Sequence, residues 1–233
     1  NRFLRSQILS LQLSGTIIDT VKSTTFLGIK IDNALTWSEH VNHVCNKISK
    51  SIGILKKVSS ILNYESLLVL YRSLITPYLQ YCTIIWGNAA SVHLQRVLLL
   101  QKRAVRIVNG LGYRDHTASF FARDGILRIS DLYTLACSVF LYKVKNTLFP
   151  IFFAEFFNRV LFGNNTVHEL DTRTRAQGLV RPFRCRTSLR QKTFSNVSIR
   201  IMNSMIIPYD LFLTSPSLKV FKRSITSLLI ATY

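Results

Sequence analysis

Acidic residues are what this sequence has least of: eleven Asp and Glu stand against thirty Lys and Arg in 233 residues, a formal charge of +19. No two acids are adjacent anywhere. Phosphoryl transfer through paired metal ions needs two or more carboxylates close together, so the sequence offers no candidate catalytic pair. Gly-Lys-Ser phosphate loops and Gly-x-Ser-x-Gly nucleophile turns are also missing. A long apolar run is lacking too. The longest candidate, residues 61–86, is interrupted by Glu65, Arg72, Pro77 and Gln80, whereas a membrane-spanning helix wants roughly 20 nearly uninterrupted apolar residues. Cysteine is sparse: Cys45, Cys82, Cys137 and Cys185 lie about forty to fifty residues apart, without a signal peptide ahead of them. That pattern excludes a small secreted disulfide framework and leads to an expectation of reduced thiols in an intracellular protein. An initiator Met is absent as well, and Asn1 runs directly into an apolar segment, as expected of a piece of something longer.

What is present is a core and a positive surface. With 48% apolar residues the chain can bury one large core or two modest ones. Its positive charges repel one another unless a polyanion compensates, which points first to nucleic acid and second to an anionic membrane surface. Residues 172–233 hold eleven of the thirty bases and only one acid, Asp210.

Periodicity divides the chain. Ile8, Leu9, Leu11 and Leu13 lead into Ser14-Gly15, Ile17 and Ile18 follow, and residues 26–32 form a third short run; two or three small strands are predicted, with Ser14-Gly15 as a hairpin turn. Trp37, Val41, Val44, Ile48, Ile52 and Leu55 then recur at spacings of three and four, which predicts an amphipathic helix. Thr36 with Glu39 fits a capping box at its start. Further helices are predicted over residues 64–77, capped by Asn63 and kinked or ended by Pro77; over 91–108, stopped by Gly110-Leu111-Gly112; and over 130–145. A short aromatic helix after Pro150 would carry Phe152, Phe153, Phe156 and Phe157; residues 163–192 read as a loop or extended basic segment; and 194–206 and 217–230 read as helical. No internal repeat is found.

Few residues suggest site chemistry. Asp32 fits turn or cap duty rather than metal binding. His40 and His43 share a helix face, but Cys45 lies on another and no second half of a zinc site follows, so no metal site is assigned. The basic residues remain. Arg173, Arg175, Arg181, Arg184, Arg186, Arg190 and Lys192 form the densest set, with Phe183 among them able to stack on an unpaired base. Lys47, Lys50, Lys56 and Lys57 on the first helix, and Lys102, Arg103 and Arg106 on the third, are candidates for the same phosphate path. A solvated linker and solvated helix faces are the competing readings.

The order of the pieces is more specific than any one of them. Phe26-Leu27-Gly28-Ile29-Lys30-Ile31-Asp32, Leu35-Thr36-Trp37 with His40, Leu70-Tyr71-Arg72-Ser73-Leu74-Ile75-Thr76-Pro77-Tyr78-Leu79-Gln80-Tyr81, Ile85-Trp86-Gly87 and Leu100-Gln101-Lys102-Arg103-Ala104 follow one another. This series resembles the stretch after the active-site hairpin in jockey-like non-LTR retrotransposon reverse transcriptases. The resemblance is strong over residues 20–108 and weaker to the end, where Met202 precedes Asn203 in a place that family usually fills with Trp, implying a divergent or eroded lineage.

The resemblance implies a mainly α fold: a helical, thumb-like bundle with a small N-terminal β hairpin or edge left from an α+β palm. Residues 1–32 would end the palm, 33–162 form the thumb and connection, and 163–233 form a basic C-terminal region. Phe26, Leu27 and Gly28 would support the primer end, although the first two can equally serve to pack palm on thumb. The Ala-Asp-Asp box, fingers, most of the palm and the endonuclease are expected upstream of Asn1, so the chain is expected to be inactive alone. No cofactor is expected in it, the divalent metal of the intact enzyme, Mg in the usual case, being held elsewhere. RNA, RNA/DNA hybrid and the upstream palm and fingers are the implied partners, in cytoplasm and nucleus. A non-enzymatic basic helical module that binds nucleic acid or protein, domesticated or decayed from such an element, is the alternative. Membrane-surface association through residues 152–157 is a third and weaker reading.

Overall fold

A computed structural model describes residues 11–153, 155, 185–204, 207–208 and 210–233. The fold is mainly helical, and among the described residues the strands are confined to its start, as the sequence predicts. Strands β1 (Leu11–Leu13) and β2 (Thr16–Ile18) form one antiparallel hairpin across Ser14-Gly15, and β3 (Ser23–Phe26) and β4 (Ile29–Asp32) form another. The run expected as one strand over 26–32 is therefore a turn and a strand. Leu27 and Gly28 both have positive φ, 46° and 77°, as a two-residue hairpin turn of matching twist requires.

Helix α1 (Ser38–Val58) buries Val41, Val44, Ile48, Ile52 and Leu55, the stripe its periodicity predicts, and with them Cys45 and His40, which that stripe does not include. The capping box does not form. Asp32 Oδ1 already accepts the Thr36 N–H at 2.9 Å, the donor that Glu39 would reach back to, and Oδ2 accepts the Trp37 N–H at 2.8 Å. A carboxylate at the end of β4 thus replaces the local box.

Asn63 caps α2 (Tyr64–Leu74) through the Ser66 N–H. The chain breaks ahead of Pro77 and resumes as α3 (Thr76–Gln80), followed by α4 (Thr83–Trp86). Helix α5 (Ser91–Val108) ends where Gly110 supplies positive φ, with the Leu111 N–H bonded back to the Arg106 carbonyl at 2.9 Å. Then come α6 (Ala118–Arg123), α7 (Ile129–Lys145), α8 (Ser188–Gln191), α9 (Phe194–Met202), α10 (Asp210–Thr214) and α11 (Leu218–Ile230), the last capped by Ser217, which the sequence pattern places inside the helix. The expected helix over 194–206 stops at Met202, and residues 205–206 lie outside the described residues.

Two centres hold the bundle. Helix α1 packs along α5 and under β4, while α7 touches α3, α4, α5, α9, α10 and α11. Gly87, at the end of α4, is where α4 and α7 meet closely: a Cβ there would stand 2.5 Å from Tyr133 Cδ2 and 2.6 Å from the Thr83 carbonyl oxygen. Trp86 beside it is fully buried, its Nε1–H donating to the Tyr81 carbonyl at 2.9 Å. Buried Gln101 joins three segments: its amide donates to the Leu127 carbonyl and its oxygen accepts the Ile129 N–H. At Asp124, Tyr64, Asn109 and Arg123 all donate to one buried carboxylate. The chain end is tied in as well: the Tyr233 hydroxyl donates to Asp131 at 2.6 Å, and Arg128 stacks 4.0 Å over its ring. Of the expected aromatic helix, Phe153 packs on Phe140 and Phe149 whereas Phe152 is exposed, and Phe156 and Phe157 lie outside the described residues.

Candidate nucleic-acid interface

The β3–β4 turn projects the Phe26-Leu27 pair into solvent, with 64% and 73% of their surfaces exposed. Neither residue packs the hairpin onto the helices. That contact falls to Tyr81, at the end of α3, whose hydroxyl donates to the Leu27 carbonyl at 2.6 Å and whose ring approaches Gly28. A larger residue at 28 would have to hold positive φ, and its Cβ would meet that ring at an ordinary contact distance of 3.7 Å. Tyr81 thus fixes the turn to the bundle, a link between residues 54 apart that no local pattern announces.

The basic residues of α1 do not all share a face. At about 100° per residue, Lys47, Lys50 and Lys57 fall with His43 within roughly a quarter turn, and Lys56 falls on the opposite flank. All four lysines are exposed. Lys30 on β4 extends the stripe, since Lys30 and Lys47 both bear electrostatically on His43, whose pKa is lowered chiefly by burial and further by these two cations. On α5, Arg103 is exposed and Lys102 half-buried, while Arg106 is spent on structure, its Nε–H donating to the Asp115 carbonyl at 2.9 Å. Arg96, not singled out from sequence, reaches Asn42 on α1 at 2.6 Å and joins the two basic helices at one end. Arg186, Arg190 and Lys192 are exposed around α8. Arg173, Arg175, Arg181, Arg184 and Phe183 lie outside the described residues. Among the described residues the sole salt bridge is Arg123 to Asp124, so no carboxylate neutralises Lys47, Lys50, Lys57 or Arg103.

Neither of the two buried acids among the described residues fits a divalent-metal pair. Both oxygens of Asp32 are taken by backbone N–H groups; burial alone would raise its pKa, but those donors and the Thr36 hydroxyl hold it below the ordinary value. Asp124 is occupied by Tyr64, Asn109 and Arg123. Among the described residues no group of three or more His, Cys, Asp and Glu side chains could hold a metal ion, and no helix is long and apolar enough to cross a membrane.

His40 and His43 do approach each other, with ring centroids 6.5 Å apart. His40 is buried, accepts the Lys30 N–H on Nδ1 and lies edge-on to Trp86, and its Nε2 has no partner. Burial first, then His43 and Lys30, lower its pKa to about 4 from 6.5. Because the folded value lies below the unfolded one, the unfolded chain takes the proton first. The stability His40 secures is complete above about pH 6.5 and lost as the pH falls towards 4, on the order of 2–3 kcal/mol. Denaturant titrations at pH 7, 5.5 and 4 should show this fall, and His40→Gln should flatten most of it; an equally steep fall in the variant would assign it to other groups.

Comparison with known proteins gives this surface a context. Over 89 residues the chain is 29% identical to a probable RNA-directed DNA polymerase from transposon X-element of Drosophila melanogaster, covering 36% of the chain and 10% of that protein. Over 101 residues it is 28% identical to the RNA-directed DNA polymerase from mobile element jockey of the same organism, covering 42% and 11%. Over 106 residues it is 27% identical to a probable RNA-directed DNA polymerase from transposon BS, also of that organism, covering 44% and 12%. The resemblance to non-LTR retrotransposon reverse transcriptases is therefore present at the level of curated relatives. The matched stretch spans about a tenth of the length of those relatives. No family model matches the chain, and no solved structure matches it significantly.

Proposed function

We propose that the chain is the hybrid-gripping part of a retrotransposon RNA-directed DNA polymerase, and that it holds the RNA/DNA template-primer by phosphate charge and shape. The observation that carries this reading is the basic stripe of Lys47, Lys50 and Lys57 on α1, which no carboxylate among the described residues pairs with, and Arg103 on the helix packed beside it. Phosphate contacts of this kind position a duplex without reading its sequence. A hybrid's groove edges and 2′-hydroxyls are recognised by shape. The exposed Phe26-Leu27 turn supplies an apolar tip against the primer end, and Tyr81 and Gly28 hold it there. Phosphoryl transfer, with its divalent metal, belongs in this reading to carboxylates elsewhere in the polymerase, and the work is done in cytoplasm and nucleus, where template and target meet.

The exposed apolar residues of the N-terminal hairpins, Leu13, Ile17, Val21, Phe26 and Leu27, favour a part of a larger polymerase over a self-sufficient binding module, since a module would have no reason to leave them uncovered. A palm of the same polyprotein is the partner this surface suits.

The test is a variant carrying Lys47→Ala, Lys50→Ala, Lys57→Ala and Arg103→Ala. Fluorescence anisotropy with a labelled RNA/DNA hybrid should show binding weakened at least about tenfold near 0.1 M salt, uniformly across unrelated sequences, with the salt slope flatter by about 3. Unchanged affinity and slope would remove these residues from the grip.

A further inference from the structure

The loop that joins β4 to α1 is held in a conformation that side chains rarely adopt. Leu35 and Trp37 both have positive φ, 51° and 63°. The Asp32 carboxylate maintains this by taking the N–H groups of Ala34, Thr36 and Trp37. Strain of this kind persists where the surroundings over-determine it, and it collects at binding sites.

The strained loop forms one wall of a cleft of about 310 Å³, whose other walls carry Ile85, Asn88, Lys192 and Thr193. The volume is at the small end of ligand pockets, about 300–1,000 Å³, so it suits one flat group and not a duplex. The Asn88 amide donates to the Lys192 carbonyl at 2.6 Å, fixing the segment that carries the lysine against the cleft. That bond also settles which way the amide faces, and it leaves Asn88 Oδ1 without a donor. Arg186 and Arg190, a few residues before Lys192, line a neighbouring opening. Apolar and aromatic walls with cations at one rim are the ingredients of a site for a base and its flanking phosphates.

We infer that this cleft takes one unpaired base of a single-stranded RNA segment next to the gripped hybrid, with Trp37 and Ile85 against the base and Lys192 on its phosphate. The inference rests on the nucleic-acid reading above and adds to it a preference for an unpaired overhang.

The experiment uses the full chain and five probes: a blunt RNA/DNA hybrid, the same hybrid with a three-nucleotide RNA overhang, that overhang made abasic, a ten-nucleotide oligoadenylate, and the abasic counterpart of that oligonucleotide. The overhang should tighten binding at least about fivefold, and base-containing strands alone should quench the emission of Trp37. Trp37→Ala should abolish both effects while leaving blunt-hybrid affinity and its salt slope unchanged. Ile85→Glu, placed at an exposed wall, should abolish the preference too, and it decides the matter if Trp37→Ala does not fold. Abasic strands binding as tightly as their base-containing counterparts would overturn the inference while the grip stands. Quenching by an apolar peptide and not by oligoadenylate would also overturn it and give the cleft to a protein side chain. Failure of the blunt hybrid to bind would count against the grip reading, and the oligoadenylate pair would still decide the cleft.

Discussion

Gly87→Ala should destabilise the fold by about 3 kcal/mol or more, although it adds a single methyl group. The Cβ would stand 2.5 Å and 2.9 Å from two atoms of the Tyr133 ring and 2.6 Å from the Thr83 carbonyl oxygen. Tyr133 is set in α7, the helix that most other helices touch, and the carbonyl belongs to the backbone of α4. Neither can yield without moving an element, which puts the cost at the upper end of overpacking, about 1–3 kcal/mol and occasionally more. In a chain of this size that lowers the melting temperature by roughly 6–12 °C. Gly53 is the matched control. It lies on an exposed face of α1, where an added Cβ meets nothing within 4 Å, so Gly53→Ala should stabilise by about 0.5–1 kcal/mol. Thermal unfolding followed by circular dichroism separates the two; equal melting temperatures for both variants would show that α4 does not sit against α7 as closely as described.

Asp124→Ala should cost about 2–4 kcal/mol. The carboxylate accepts from the Tyr64 hydroxyl at 2.9 Å, the Asn109 amide at 2.8 Å and Arg123 Nε at 2.9 Å, so it binds α2, the end of α5 and α6 at one point. Its own backbone carbonyl accepts from Arg72. Removal takes the acceptor from the Tyr64 hydroxyl and from one hydrogen of the Asn109 amide, which keeps its bond to the Val105 carbonyl; both residues are half-buried, and a donor left unmet costs more than the net worth of the bond. Arg123 is half-exposed and turns to water, which limits its share. Asp124→Asn keeps the shape and one acceptor oxygen and should cost roughly half as much. A denaturant titration in which the Ala and Asn variants match the parent would mean that the network forms without contributing stability.

These two positions show what a linear reading can and cannot reach. The Ile85-Trp86-Gly87 group stood out from sequence only through its resemblance to a family, and the structure gives it a physical reason: a buried indole and a contact that only glycine permits. Helices α1, α2, α5 and α11 were legible because each repeats its apolar residues with helical period, and α2 and α11 carry their own caps in Asn63 and Ser217. Helices α3, α4, α6, α8 and α10 run for four to six residues, too short for a period to show. The capping box failed for a different reason. Asp32, outside the helix, competes for the same backbone donor, and local pattern does not rank the two acceptors.

The interface was legible as composition and not as placement. The helical wheel of α1 already sets Lys56 apart from Lys50, but nothing in the order of residues separates Arg103 from Arg106 until Asp115 is seen to engage the latter. Tyr81 with Leu27 and Asn88 with Lys192 are 54 and 104 residues apart, and contacts at that range belong to the fold alone.

The most direct test of the grip is the salt dependence of binding to RNA/DNA hybrids of two unrelated sequences, read by fluorescence anisotropy with the full chain between about 50 mM and 200 mM salt. Four phosphates neutralised by Lys47, Lys50, Lys57 and Arg103 predict equal affinity for both hybrids and a log–log slope of about −3 to −4 or steeper. An affinity that ignores salt, or that distinguishes the two sequences strongly, would contradict the account.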